Sequence, residues 1–484
     1  MICDCLFHRR GLFKFGAGLA AAAGLMRFEA RAQAPAATTD KSNAGGAQPA
    51  RGEYVLRGGH VLTMDESLGD FPAGDVHVRD GAIVAVGAAI NAPGAQIIEA
   101  RDMIVMPGFV DTHWHLWCTS LRMAIRADDP KEGYFPTTIR VGRFLNPQDS
   151  YAGVRLGLAE GLLSGITTVH NFSHNTVSPA HADAEVQAMT DLGVRGRFSY
   201  GSVQGLPADQ AMNIDDVARV QKQWTHADGM LNIGANLRTP GPAGTRGSIP
   251  VDMFRREFDA FRKLGVPMTL HCGPKNLVAL MGANGLLGSD MLMVHPQGMS
   301  AAELRMIGDA RSPWSAAPVI EMSYSAVRNG TIQYNELAEM ALPLGLSIDA
   351  SAATNADFFN VMRALMWSDW QRNGAPQRLK PRRLVELATI EGAKVLGLGD
   401  KTGSLTPGKR ADVIAVRKTD INMAPVGDPY YALVFQGQPG NVDTVMVDGR
   451  ILARGGKLTS VDVSKTVREA EQSARGIIER AARG

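Results

Sequence analysis

Cysteine is scarce in this sequence, net charge is nearly absent, and no apolar stretch is long enough to cross a bilayer. Four cysteines occur in 484 residues. Cys3 and Cys5 fall in an N-terminal segment that reads as a cleavable leader, which leaves Cys118 and Cys272. A disulfide-dense scaffold is therefore excluded. The two remaining thiols sit at strand ends and are expected to be buried rather than bridged. Formal net charge is +2, and without residues 1–34 the chain carries 45 basic against 46 acidic side chains. So even a balance argues against nucleic acid or anionic membrane surfaces as partners. No internal repeat or low-complexity block stands out beyond a Gly/Ala/Ser/Thr stretch near residues 36–51.

The leader has the order of an export signal. Arg9-Arg10-Gly-Leu-Phe-Lys14 precedes the apolar run Phe15 to Met26, followed by Ala30-Arg-Ala32 and Ala32-Gln-Ala34. A basic start, a short apolar run and an Ala-x-Ala site match a cleaved signal; a span needs about 20 apolar residues. The paired arginines resemble the twin-arginine export motif. Cleavage after Ala32 or Ala34, a linker over 35–51 and a periplasmic mature protein with no stable membrane association are the expectations.

Such a length predicts two domains of unequal size. Residues 52–105 read as short strands, with Asp80-Gly81 as a hairpin turn, and the device returns at Asp448-Gly449. Strands and helices alternate in between. The economical fold class is α/β: a barrel over 106–403 and a small β-sandwich composed from 52–105 and 404–460. A C-terminal helix closes the chain over 461–484. Eight strands are expected, near Ile104–Asp111, Thr167–Asn171, Gly196–Gly201, Met230–Asn236, Pro267–His271, Met291–His295, Ser315–Ile320 and Leu346–Asp349. Eight β/α units suit a (β/α)8 barrel of TIM type, whose active sites lie at the C-terminal strand ends.

Histidine and aspartate recur at those ends. In Met106-Pro-Gly-Phe-Val-Asp111-Thr-His113-Trp-His115, alternate strand positions put His113 and His115 on one face, able to grip one ion together. His170, His271, His295 and Asp349 end other strands. His60, His77 and His226 lie away from strand ends and read as ordinary.

Pro-Gly-Phe-Val-Asp-Thr-His-x-His resembles the signature of the amidohydrolase superfamily, in its cytosine deaminase/chlorohydrolase-like branch. The likeness extends over about residues 54–460, through Gly165-Ile-Thr-Thr-Val169, Ala388-Thr-Ile-Glu-Gly-Ala393 and Gly403-Ser-Leu-Thr-Pro-Gly-Lys-Arg-Ala-Asp412. It implies one divalent ion, Zn²⁺ or alternatively Fe²⁺, held by His113, His115, His271 and Asp349. Asp349 would also be the catalytic proton carrier, with His295 assisting the water or the substrate. A lysine that bridges two ions elsewhere in the superfamily has no counterpart in Gly234-Ala-Asn236-Leu-Arg238, which favours a single ion.

A second absence bears on substrate. Deaminase-like members usually carry Glu three residues after the strand-five His, where this chain has Pro274. The expected activity is hydrolysis of a non-peptide C–N bond, of amide, urea or carbamate type, in a small molecule by a metal-bound hydroxide. The alternatives are deamination of a nitrogen heterocycle and, from another class, a non-catalytic periplasmic binding protein on the same fold. Trp114, Trp117, His170, His174 and Glu321 are the expected substrate-pocket residues. Asn171-Phe-Ser-His174 and His181-Ala-Asp183 form a polar cluster with no assigned role, and a homo-oligomer stays open.

Overall fold

A computed structural model describes residues 48–484, except 127, 226–228, 242–247, 326–328 and 375–378. The leader, most of the linker and His226 lie outside the described residues.

Both ends of the chain contribute to one nine-stranded sheet. Its first part is β1 (Tyr54–Val61), β2 (Phe71–Arg79), β3 (Ala82–Gly87), β4 (Gln96–Glu99) and β5 (Met103–Pro107). The barrel follows with β6 (Phe109–Trp114), β7 (Ile166–Thr176), β8 (Arg195–Ser202), β9 (Leu231–Asn236), a short pair β10 (Thr239–Pro240) and β11 (Ser248–Ile249), then β12 (Met268–His271), β13 (Met291–Val294), β14 (Trp314–Ala316) and β15 (Leu344–Leu346). The chain then returns to the first sheet through β16 (Val413–Arg417), β17 (Val442–Val447), β18 (Arg450–Arg454) and β19 (Lys457–Leu458). The two parts join where β5 pairs antiparallel with β16.

Both expected hairpin turns are present. Asp80-Gly81 and Asp448-Gly449 have positive φ at all four residues, as a tight two-residue turn requires. The turns also touch: a Cβ on Gly449 would lie 2.6 Å from the Cα of Gly81, so neither backbone tolerates a side chain there. Asp448, fully buried, is contacted by Arg51, Arg195, Arg410 and Arg450. Arg195, on β8, also binds Asp412 through Nε at 2.5 Å and Nη2 at 3.1 Å, which ties the barrel to the outer sheet.

The barrel strands run parallel in the order β6, β7, β8, β9, β12, β13, β14, β15. One expected strand, Ile104–Asp111, is two. The chain leaves the outer sheet at Pro107 and enters the barrel at Phe109, whose N–H donates to Gly165 O at 2.9 Å. Gly108 makes that crossing, and any Cβ there would meet Thr167 at 2.2 Å. Another expected strand, Ser315–Ile320, stops at Ala316, because Pro318 begins a helical turn. β7 is longer than expected and carries His174 in extended backbone. The terminal helix, Val463–Arg483, docks on the helix Pro147–Leu163 through Ser473 Oγ, which donates to Asp149 Oδ1 at 2.7 Å.

Candidate metal centre

β6 closes the barrel against the segment after β15, and it does so at residues expected to carry the chemistry. Asp349 N–H donates to His113 O at 3.0 Å, and His115 N–H donates to Asp349 O at 2.6 Å. Below them Asp111 is fully buried; Oδ1 accepts from His113 N at 2.9 Å and Oδ2 from Ile348 N at 2.8 Å. That carboxylate fastens the first strand to the eighth, a role that only its place beside the histidine pair could have suggested.

Strand alternation turns His113 and His115 into the barrel mouth. His271 ends β12 with Nε2 3.2 Å from His115 Nε2. Asp349 Oδ1 lies 3.8 Å from His113 Nε2 and 3.5 Å from His115 Nε2. His295, just past β13, places Nε2 3.6 Å from Asp349 Oδ2, while its Nδ1 lies 3.0 Å from Glu321 Oε1. His295 and Asp349 have φ of 70° and 67°. Non-glycine residues in this left-handed region cost about 1–3 kcal/mol each and cluster at functional sites. Here the strain re-aims two side chains toward the barrel axis, His295 one residue past β13 and Asp349 three residues past β15.

The donor set fits a divalent cation. Both ring nitrogens of His113 are buried with no hydrogen-bond partner among the described residues. Leaving such atoms unpaired costs about 1–3 kcal/mol apiece, which an ion would offset. Ligand atoms of His113, His115 and Asp349, and those of His113, His271 and His295, lie within 4.8 Å of one another. That spread suits ligands placed around one ion at about 2 Å. His115 Nδ1 donates to Phe172 O at 3.0 Å, so its Nε2 presents a lone pair to the cavity.

Burial, reinforced by the neighbouring imidazoles, holds His113, His115 and His271 well below the ordinary histidine range. They are neutral donors at physiological pH. Burial pushes Asp349 up to about 6, with His295 opposing and Glu321 adding. Burial alone would lower His295, but the Glu321 hydrogen bond and the Asp349 charge outweigh it and raise its pKa.

Several expected pocket residues are fully buried, with polar atoms engaged by neighbouring protein groups. Trp114, between the two inward histidines, points outward; Nε1 donates to Ser351 Oγ at 3.0 Å. His170 is one layer too deep, and both its ring nitrogens are engaged, with Thr112 O at 2.8 Å and Ser199 Oγ at 2.7 Å. Trp117 is fully buried, and its indole N–H donates to His174 Nδ1 at 2.8 Å. Glu321 is buried behind His295. The polar cluster separates: His174 approaches the centre, whereas His181 bonds Ser178 Oγ at 2.8 Å and Leu145 O at 3.1 Å. Asp183 turns away to Arg219 and to Trp224. Asn236, in the segment that lacks a bridging lysine, donates to Ser173 O and Ser199 O. His60 and His77 lie in the outer sheet. Cys118 and Cys272 are buried free thiols. Tyr134, with its ring 6.1 Å from that of His115 and its hydroxyl 3.7 Å from Cys118 Sγ, joins the rim with no sequence signal to announce it.

Known proteins resemble this chain in sequence or in fold. The 5-methylthioadenosine/S-adenosylhomocysteine deaminase of Desulforudis audaxviator is 28% identical over 88% of this chain and 99% of its own length. The 5'-deoxyadenosine deaminase of Methanosarcina mazei is 24% identical over 88% of this chain and 99% of its own. A zinc-bound adenosine deaminase from Xanthomonas campestris superposes with a TM-score of 0.76 at 21% identity, covering 89% of this chain and 100% of that one. Zinc-complexed atrazine chlorohydrolase from Arthrobacter aurescens gives 0.74 at 20% identity, covering 87% and 100%. The model of the amidohydrolase family matches residues 104–452, and the chain belongs to that family of hydrolases acting on non-peptide C–N bonds.

Proposed function

We propose that the protein hydrolyses an amide, urea or carbamate C–N bond of a small molecule, with one zinc ion held by His113, His115, His271 and Asp349. Such an ion, when bound, lowers the pKa of water toward about 7 and polarises a carbonyl oxygen. The observation that carries the substrate class is the placement of carboxylates. Glu321 is buried with Oε1 against Nδ1 of His295, and Pro274 occupies the position of the deaminase glutamate. Asp349 is then the proton carrier at the reacting face. Its carboxylate, beside His113 and His115, can take a proton and return it to a departing amine. His295, oriented through Nδ1 by Glu321, presents Nε2 beside Asp349 and can hydrogen-bond a developing oxyanion. An acyl carbon asks no more than this, whereas ring deamination also needs an acid beside the ring nitrogen.

Deamination of a nitrogen heterocycle is the second reading. It is favoured by the deaminase names of relatives aligned over 88% of the chain. Both readings are tested on the mature protein, and a periplasmic address set by the leader is tested by changing Arg9 and Arg10 to Lys. Zinc-loaded enzyme is assayed on N-acyl, ureido and carbamate compounds, and on purines, pyrimidines and triazines. Amine release from the first panel should exceed ammonia release from the second. Dominant ammonia release, abolished by Glu321→Gln, refutes the acyl preference, and metal binding without turnover on either panel favours the binding protein.

A further inference from the structure

His174 belongs to the unassigned polar cluster, and its surroundings are specific. Its ring lies parallel to that of His115, with centroids 4.1 Å apart and planes 9° from coincidence. Trp117 Nε1–H donates to His174 Nδ1 at 2.8 Å. An indole N–H only donates, so Nδ1 carries no proton and the neutral ring carries its hydrogen on Nε2. Gln204 Nε2 lies 3.3 Å from that atom, and Gln204 Oε1 is buried without a partner. Rotating this amide by half a turn replaces two facing donors with an Nε2–H···Oε1 hydrogen bond and satisfies the oxygen. Both ring nitrogens of His174 are then occupied, so it is not itself a ligand. Phe172 packs edge-on against His115, with centroids 5.0 Å apart.

We propose that His174 is a positioning residue, fixed by Trp117 and Gln204, that sets the plane of the His115 imidazole and through it the affinity and geometry of the bound ion. The proposal rests on His115 being a metal ligand. The hydrogen bond from His115 Nδ1 to Phe172 O fixes one point of the ring but leaves it free to tilt about that point. A flat neighbour over the face removes that freedom. A neutral neighbour is needed, because a cationic ring against a ligand of a cation would be repelled, and the Trp117 donor keeps Nδ1 unprotonated.

The test uses the mature protein loaded with Zn²⁺ for affinity, by chelator competition, and with Co²⁺ for its visible spectrum. His174→Ala should lower Zn²⁺ affinity about 10- to 100-fold, as loss of a partner behind a ligating histidine does, and shift the Co²⁺ bands. His174→Phe, which keeps a flat ring, should recover most of the affinity. Trp117→Phe should move both readouts in the same direction by less, and the double variant Trp117→Phe/His174→Ala should be no weaker than His174→Ala alone. Wild-type affinity and spectrum in His174→Ala, beside a control His115→Ala that loses the ion, overturn the positioning role while leaving the ligand set intact. Additive losses in the double variant overturn the coupling through Trp117. If His174→Ala does not fold, unchanged affinity in Trp117→Phe overturns the proposal. Retention of the ion by His115→Ala overturns the ligand assignment itself.

Discussion

Glu185 offers a quantitative test away from the metal. It lies on the helix Pro179–Leu192 with no exposure, and its carboxylate accepts from Ser173 Oγ at 2.8 Å and from Asn171 Nδ2 at 2.9 Å. Burial raises its pKa from 4.5 to about 7 against the pull of those two hydrogen bonds. The folded protein therefore holds this proton more tightly than the unfolded chain. The stability it contributes is complete below pH 4.5 and is lost as pH rises through 7. A gap of about 2.5 pH units at 1.36 kcal/mol each amounts to about 3 kcal/mol. Glu185→Gln removes the titration and keeps the contacts, since the amide can accept from Asn171 and donate to Ser173 Oγ. The stability of the variant relative to wild type should therefore grow by about 3 kcal/mol between pH 4.5 and 8. Denaturant unfolding of both proteins at several pH values, with the same excess of zinc, reads this difference directly. A variant-minus-wild-type difference that stays constant within about 1 kcal/mol across that range refutes the argument.

Replacing His113, His115, His271 or Asp349 by Ala should lower metal content and turnover together, whereas His295→Ala should keep most of the metal and lose roughly 10²-fold in turnover. Elemental analysis beside kinetics decides this, and full metal occupancy in His271→Ala contradicts the ligand set. Arg195→Leu strips the buried Asp412 of its guanidinium and should destabilise the protein by about 3–5 kcal/mol in denaturant titration. A loss below about 1 kcal/mol would mean that the remaining contacts carry the carboxylates. Changing Arg9 and Arg10 together to Lys should leave precursor in the cytoplasm, and an unchanged periplasmic yield rules out the twin-arginine route.

The sequence carries the site more clearly than its surroundings. Period-two alternation selects His113 and His115, and the same rule, applied to the residue between them, sends Trp114 outward. His271, His295 and Asp349 were legible because apolar runs end on them, although the left-handed backbone that aims two of them leaves no trace in a string of residues. Depth along a strand was not legible. His170, Phe172 and His174 share one parity on β7, yet His170 lies beneath the proposed ligands, Phe172 among them and His174 over His115. Which layer a residue occupies depends on the stagger between neighbouring strands, a property of the assembled barrel. Gly108 likewise divides one apolar run between two sheets because of what Thr167 leaves room for, 59 residues further on.

The meeting of β6 with the Asp349 segment has a consequence for how the protein fails. A cylinder of parallel strands has one seam where its first and last staves meet, and here that seam is stitched by the backbones of His113, His115 and Asp349. An ion held by those side chains, as proposed, would clasp the staves from inside, so chelation should loosen the cylinder at that line before elsewhere. With an ion at 100 times its dissociation constant the clasp is worth about 2.7 kcal/mol. Amide exchange in the ion-free protein should accelerate first at His115 N and Asp349 N, ahead of the sheet that holds the chain ends.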